Sequence, residues 1–241
     1  MSRAMTVAVS CAVVLACAAG AAPRDLVCRA GESEKWAFAA SGKPIGTMDA
    51  TCTSVRKGAA SGPLCDWRFG LKLDLNVQGR AVKLAMKGTF TLNSKGRPTV
   101  AAINATVNGQ AQKATITFAG RKAAIASIAG GQAVRKGAPI TGQEYLSINN
   151  VMTLLSLATR TLGVQPGQTV KAPFFAVEMM GSLDFTLTAK PKTETVTVGG
   201  KKVECVVCDV SPIGARIHLS KATGEMVRYA MESQGLVITR R

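Results

Sequence analysis

Apolar and polar residues alternate with a period of two along most of this sequence, and this pattern limits what the chain can fold into. Between residues 65 and 78 the alternation is almost unbroken, with Trp67, Phe69 and Leu71 on one side and mainly charged or amide residues on the other. Successive side chains of a strand point to opposite faces, so this stretch predicts a long, half-buried strand. Further alternating runs follow, separated by turn signals such as Asn108-Gly109.

The period changes to helical spacing only over residues 144–162. Tyr145 and Met152 belong to one apolar stripe there, and Gly163 is a plausible helix stop. Alternating runs resume from about residue 169. The order therefore predicts a β-meander, a helix and a second β-meander within a single β-rich domain over residues 22–241.

One helix is too narrow to cover a sheet of eight or more strands, each about 4.8 Å from the next. The sheet must either curl around the helix or fold onto itself as a sandwich. We expect the first, a mainly β protein in which a large curved antiparallel sheet, a half-barrel or cup, wraps the helix at about 144–162. Aromatic residues make up only 5% of the chain, which favours unfilled apolar space for a ligand. The expected lining of that apolar cup is Trp67, Phe69, Leu71, Leu84, Met86, Phe90, Phe118, Met152 and Leu155.

The first residues have the three parts of a secretory signal. Arg3 precedes an apolar run over residues 4–16, and small residues follow as cleavage points, which predicts a signal peptide over 1–21. The run is shorter than the roughly 20 residues that span a bilayer. An alternative is lipidation at Cys17, because residues 14–17 resemble a bacterial lipobox. Either way we expect an exported protein that is periplasmic, associated with the outer membrane, or secreted.

Positive charge dominates, with 30 Lys and Arg against 14 Asp and Glu, and between residues 75 and 143 ten basic residues occur with no acidic one. A field of one sign attracts polyanions. Lys83, Lys87 and Lys113 fall on polar positions of their strands and define an expected basic face. Its partners would be anionic lipid headgroups, lipopolysaccharide or acidic glycans. Nucleic acid is not expected, because the chain is exported and lacks aromatics interleaved with these cations.

Five cysteines remain after the signal, and in an oxidising compartment they should pair. Cys52 and Cys65 flank a turn-rich segment, and a hairpin there would bring them close together. Their positions therefore predict a disulfide. Cys205 and Cys208 have the spacing of a redox motif. The two valines between them favour a strand, in which residues three apart face opposite ways.

Catalytic signatures are absent from the sequence: it contains no nucleophile elbow, no P-loop and no dinucleotide-binding glycine motif. The single histidine, His218, falls on the polar side of its strand, where a solvated side chain is expected. With one histidine and oxidisable cysteines, neither a metal site nor a cofactor is expected. No catalytic residue is therefore assigned.

Several turn motifs resemble those of exported bacterial proteins of unknown function, the DUF3108-like group. The matching stretches are Trp36-Ala37-Phe38 with the turn at 41–46, the hairpin at 194–205, and the closing run at 218–228. The resemblance implies a fold and an envelope location rather than an activity. The layout is also similar to the lipoprotein carriers LolA and LolB, in which a curved sheet wraps helices around an apolar cavity.

These observations predict a non-enzymatic envelope protein that binds a lipid or other amphiphile in an apolar cup and has a basic outer face. The alternative is a structural or assembly factor without a cavity, which binds an anionic glycan, lipopolysaccharide or a protein through its basic sheet face. A thiol-redox role for Cys205 and Cys208 is the third class. Membrane association is expected only through a lipidated Cys17 or through the basic face.

Overall fold

Fifteen strands form one continuous sheet in the computed structural model, which describes residues 24–58, 62–77 and 79–241. In chain order the strands are β1 Ser33–Ala40, β2 Lys43–Lys57, β3 Pro63–Val77, β4 Arg80–Asn93, β5 Pro98–Val107, β6 Gln110–Ala119, β7 Lys122–Ala129, β8 Gln132–Pro139, β9 Tyr145–Ser147, β10 Thr169–Ala176, β11 Gly181–Val198, β12 Lys201–Ser211, β13 Ala215–Ser220, β14 Met226–Met231 and β15 Leu236–Arg240. Helix α1 (Met152–Leu162) lies between β9 and β10, and a 3-10 turn (Glu232–Gln234) precedes β15. The predicted signal at 1–21, with Cys17, lies outside the described residues.

Each strand pairs with its neighbour in sequence, so β1 to β8 form one meander and β9 to β15 form another. Pairing of β1 with β15 joins the two, with Trp36 opposite Arg240. The described strand pairs are antiparallel except that β9 runs parallel to β10. At the β5–β6 turn, Asn108 and Gly109 both have positive φ, the backbone that two-residue hairpins favour. Strands β8 and β9 are the two edges, so the sheet is open.

The predicted fold class is confirmed: within the described residues the chain is mainly β with a single α-helix, and the large open sheet is curved. The helix is enclosed, since none of its residues is exposed to solvent. Ser156 Oγ in its middle donates a hydrogen bond to Glu34 of β1 at 3.0 Å. Near its end, Arg160 Nη1 lies 2.5 Å from the Glu32 carboxylate. These contacts tie the helix to the inner side of the sheet.

The helix is shorter than the predicted 144–162. Residues 145–147 form β9 beside β10, and Asn150 has a φ of 63°, which interrupts any helix running through it. The predicted stop is confirmed, because Gly163 has left-handed backbone and its N–H bonds to the Thr159 carbonyl. The helix therefore measures about 16 Å rather than about 28 Å.

The core fills the inner side of the sheet, where the alternation of β3 places Trp67 and Phe69, both essentially unexposed. Trp67 stacks on Phe90 of β4 with ring centroids 6.2 Å apart. Gly88 makes close packing possible here, because a Cβ at that position would lie 2.3 Å from the Ala102 carbonyl oxygen and 2.8 Å from the Phe69 ring. Because Gly88 has no side chain, β4 can bend over the Phe69 ring at this point.

The predicted Cys52–Cys65 disulfide is wrong: both are free thiols that are not at bonding distance. A register shift in the β2–β3 pair, next to Cys52, sets Cys52 opposite Trp67 and Cys65 opposite Val55. The thiol of Cys65 instead neighbours that of Cys28, in the segment before β1, and this neighbour together with burial raises the pKa of Cys28. The spacing predicted the hairpin correctly, but it could not fix the register, which keeps the two cysteines apart on both sides of the shift.

Candidate functional site

An apolar hollow of about 200 Å³ opens at the start of the helix. Its floor and walls come from β10, β11, β14 and the segment that leads into α1. Of the nine predicted cup residues, Met152 and Leu155 line it. Its lining also includes Leu146, Ile148, Val151, Leu154, Phe174, Phe185, Ile213, Tyr229 and Met231. Burial raises the pKa of the Tyr229 hydroxyl, which fits an apolar setting.

A polar rim surrounds part of this hollow. Ser147, Asn149 and Asn150 lie on the same lining as the apolar side chains. The backbone N–H of Asn149 donates to the Glu178 carboxylate, so the β10–β11 turn borders the rim. That turn carries Met179, which is 64% exposed. An apolar interior with a polar edge and an exposed methionine next to it is an arrangement that suits an amphiphile.

The other seven predicted cup residues lie elsewhere on the inner side of the sheet. Four of them are at most 2% exposed and belong to the packed core: Trp67, Phe69, Leu71 and Phe90. Phe118 is half-buried and meets the Phe175 ring edge-on at 5.3 Å. Leu84 and Met86 are half-buried on β4, packed against the edge of the core. The helix and these side chains occupy most of the space that was predicted to be empty.

The predicted basic face lies on the outer face, meaning the sheet surface opposite to the core. Lys83, Lys87 and Lys113 are all exposed there. Lys87 and Lys113 share one row, with Asn104 of β5 between them, whereas Lys83 stands opposite Asp74 of β3. Among the described residues, no carboxylate oxygen lies within 4.0 Å of any of these three ammonium groups.

A second hollow, of about 460 Å³, is sunk into the same outer face across β2 to β5. Gly70 and Ala85 form its floor, and neither has a large side chain. Lys72 and Lys87 stand diagonally across that floor, because the register places Gly70 opposite Lys87 and Lys72 opposite Ala85. Its rim is completed by Thr47, Asp49, Asn104 and Thr106. We call this the outer trough.

Sequence analysis missed Lys72 as a site residue, although the alternation of β3 already puts it on the same face as the predicted lysines. Some other cations form ion pairs: Arg56 pairs with Asp66 at 2.8 Å, and Lys221 pairs with Glu204 at 2.8 Å. Although burial opposes it, hydrogen bonds from Arg56, Thr91 and Ser54 hold the pKa of Asp66 at about 2. The lysines of the outer trough therefore differ from these cations in being free to meet an external anion.

His218 is not solvated as predicted. It is 3% exposed, because both faces of β13 are covered, and its Nε2 lies 3.7 Å from the Glu194 carboxylate. Burial lowers its pKa, so the ring is neutral.

Cys205 is on the same side of the sheet as His218, but burial raises its pKa to about 11 and leaves it protonated. A protonated, fully enclosed thiol is a poor nucleophile.

Cys205 and Cys208 lie on strand β12, as predicted, where residues three apart face opposite sides of the sheet. Burial raises the pKa of the Cys208 thiol to about 12. A redox pair needs an accessible, acidic thiol, and neither cysteine provides one. Over residues 24–58, 62–77 and 79–241, no three His, Cys, Asp or Glu side chains are grouped to hold a metal ion.

Comparison with solved structures finds similar folds at low sequence identity. A beta-barrel-like DUF1849 protein from Brucella abortus is 12% identical, with a TM-score of 0.49, over 87% of this chain and 94% of that one. A DUF1089 family protein from Pseudomonas aeruginosa is also 12% identical, with a TM-score of 0.44, over 73% and 87% of the two chains. A protein from Bacteroides fragilis with a YmcC-like fold, whose name proposes that it is exported, is 8% identical, with a TM-score of 0.34, over 90% and 97%.

No protein-family model and no curated protein matches the sequence, so the resemblance to the DUF3108-like group is not confirmed. The Brucella abortus and Pseudomonas aeruginosa structures belong to families of unknown function and bring no activity to compare. Within the described part of the chain, the α-helix is too short to cross a membrane.

Proposed function

We propose that this is a non-enzymatic binding protein that takes up the acyl chain of an amphiphile at the start of the helix. The apolar hollow bordered by Met152 and Leu155 is the observation that carries the proposal. Its polar rim offers hydrogen-bonding groups to a headgroup, while the interior offers only apolar contact. The proposal keeps the predicted ligand class and moves its position from the middle of the cup to one end of the helix.

The size of the hollow sets how much of a chain it holds. Its volume, about 200 Å³, lies below the roughly 300–1,000 Å³ of most ligand sites. Each buried methylene contributes about 0.8 kcal/mol, so about ten are needed to outweigh a moderate association cost. Part of the chain must therefore lie outside the hollow. Met179 and Met180, exposed on the turn next to the rim, are the apolar surface in the right place.

Titration with a fluorescent acyl probe tests this assignment. Leu155→Trp adds bulk inside the hollow and should abolish probe binding. Leu84→Trp adds the same bulk at a half-buried position of β4 that does not line the hollow, and it should bind like the wild type. Thermal unfolding of both variants shows whether they remain folded. Unchanged binding by Leu155→Trp, or loss only in Leu84→Trp, would contradict the site.

A second candidate function is binding of an anionic envelope polymer or lipopolysaccharide through the basic outer face, favoured by lysines there that form no ion pair among the described residues. Exposed charges are screened over about 8 Å at physiological ionic strength, so this binding should weaken steeply with salt. Replacing Lys83, Lys87 and Lys113 with Gln should reduce retention on anionic vesicles. A control variant that replaces Lys95, Lys201 and Lys221 with Gln loses the same charge elsewhere and should bind normally. Equal retention on neutral and anionic vesicles would refute this candidate.

Both candidates place the protein outside the cytoplasm, which rests on the sequence of residues 1–22. Intact-mass analysis of protein from the cell envelope gives the mature start, expected near Ala22 or at a lipidated Cys17. Recovery of the full-length chain from the cytoplasm would overturn the export proposal without affecting either binding test.

A further inference from the structure

Arg97, at the end of the β4–β5 turn, is a half-buried residue with two of its three guanidinium nitrogens enclosed, and it forms no ion pair within the described part of the chain. Its central carbon lies 3.7 Å from the centre of the Tyr145 ring. Its Nε and Nη1 are both enclosed, and neither has a hydrogen-bond partner among the described residues. The side chain borders a third hollow, of about 180 Å³, which shares no lining residue with the apolar hollow at the helix start.

The carboxylate that lines this hollow does not neutralise Arg97. Glu144 accepts hydrogen bonds from the backbone N–H of Thr141 at 2.7 Å and of Gly142 at 2.9 Å, and from Ser182 Oγ at 3.2 Å. It makes no ion pair with Arg97 within 4.0 Å. Burial lowers the pKa of Arg97, and the charge of Glu144, which has the opposite effect, does not fully offset it.

Leaving a buried charge uncompensated is costly, and the protein keeps this one in place by stacking it on an aromatic ring. A guanidinium presents its N–H donors in a planar fork, which matches the two oxygens of a carboxylate or a phosphate. Asn93 Oδ1 accepts hydrogen bonds from the backbone N–H groups of Lys95 and Arg97. The side-chain NH2 group of Asn93 therefore remains a donor. The opposite wall is apolar, formed by Pro98, Phe118 and Ile140.

We infer that the Arg97 hollow is a binding site for an organic oxyanion, a carboxylate attached to a short apolar group. The guanidinium fork binds the oxygens, and the apolar wall receives the carbon chain. The small volume limits the enclosed part to a few carbon atoms. The site goes beyond the proposed function, because it lies in a different hollow and does not depend on acyl uptake there.

Thermal unfolding at constant ionic strength tests the site with butyrate, inorganic phosphate and chloride as probes. Butyrate at about ten times its dissociation constant should raise the wild-type midpoint by about 3–5 °C. Phosphate should act more weakly, because it cannot use the apolar wall, and chloride should have no effect. Arg97→Gln should not respond to butyrate, whereas Lys95→Gln, a charge change two residues away on an exposed position, should respond fully.

Because Arg97→Gln also loses the stacking on Tyr145, it can fail to fold, and a measurement on the wild type keeps the test decisive. The Nε–H signal of Arg97 in a proton–nitrogen NMR spectrum should shift on addition of butyrate and saturate. Equal midpoint shifts with all three salts, or an unmoved signal, would show that only water fills the hollow and would overturn the site. Vesicles that carry a long-chain fatty acid then identify the source: retention that needs Arg97 indicates a lipid headgroup, and retention independent of Arg97 indicates a soluble anion.

Discussion

Gly88 is the position where the curvature of the sheet is most directly testable. In the middle of β4 its backbone lies so close to β5 and to the core that a Cβ would stand 2.3 Å from the Ala102 carbonyl oxygen. Two carbons of the Phe69 ring would be at 2.8 and 2.9 Å. Ordinary carbon–carbon contacts are about 3.5–4.0 Å, so Gly88→Ala must displace backbone as well as a ring. We expect the variant to fold with reduced stability.

Overpacking of this kind costs about 1–3 kcal/mol. Alanine also has fewer unfolded conformations than glycine, which by itself stabilises by about 0.4–1 kcal/mol, so the steric term is partly offset. Gly137 in β8 supplies the control, since no atom lies within 4 Å of the position that its Cβ would take. Gly137→Ala should therefore be neutral or slightly stabilising, and the difference between the two variants measures the steric term alone.

Denaturant unfolding followed by tryptophan fluorescence gives both values, because Trp36 and Trp67 are fully buried and report loss of the core. For a chain of this size each kcal/mol corresponds to about 2–4 °C in the thermal midpoint, which offers a second measurement. Equal stability of Gly88→Ala and Gly137→Ala would refute the claim that β4 bends over Phe69 at this glycine.

Three further predictions concern the thiols and the buried charges. Oxidation of the folded protein with oxidised glutathione should join Cys28 to Cys65, whose thiols are neighbours, and non-reducing peptide mapping should find Cys52 unpaired. Burial raises the pKa of Glu34 above its ordinary value of 4.5, so the folded state holds the proton of this carboxyl more tightly than the unfolded state does. The free energy of unfolding should therefore fall as pH rises through the folded pKa. Denaturant curves from pH 4 upward should show this component in the wild type and not in Glu34→Gln. Arg160→Ala leaves the part-buried Glu32 carboxylate without its partner and should cost about 1.5–3 kcal/mol, with a double-mutant cycle on Glu32 measuring the share that belongs to the pair.

Most strands were the predictable part of this fold, because one rule of alternation serves nearly all of them; β9 is the exception. The same rule placed Lys83, Lys87 and Lys113 on the outer face, where they lie. It misplaced His218, since alternation identifies the polar side of a strand without showing whether that side is exposed, and His218 is 3% exposed. The Cys52–Cys65 pairing also failed, because spacing locates the hairpin without fixing its register, and Cys65 stands opposite Val55, three residues away from Cys52.

The helix shows a different limit of prediction from sequence. Its apolar stripe was correct over 152–162, and the same spacing continued back to Tyr145, where β9 forms instead. Three features override the helical pattern there: the pairing of β9 with β10, the positive φ of Asn150, and the turn that Glu144 closes by accepting the N–H groups of Thr141 and Gly142. These depend on contacts far away in sequence or on a backbone conformation that residue type only weakly predicts.

That failed stretch of helix is also where two of the candidate sites meet. A helix of about 28 Å would have covered more of the inner side of the sheet than the actual helix of about 16 Å does. Residues 146–151 line the apolar hollow at the helix start, and Ile140, Gly142 and Glu144 line the Arg97 hollow. Sequence rules are expected to fail at functional positions, where a chain accepts local conflict in return for a binding surface. On this reasoning the segment 140–151 matters more for function than the wide sheet around it. Substitutions there should change ligand binding before they change the stability of the sheet.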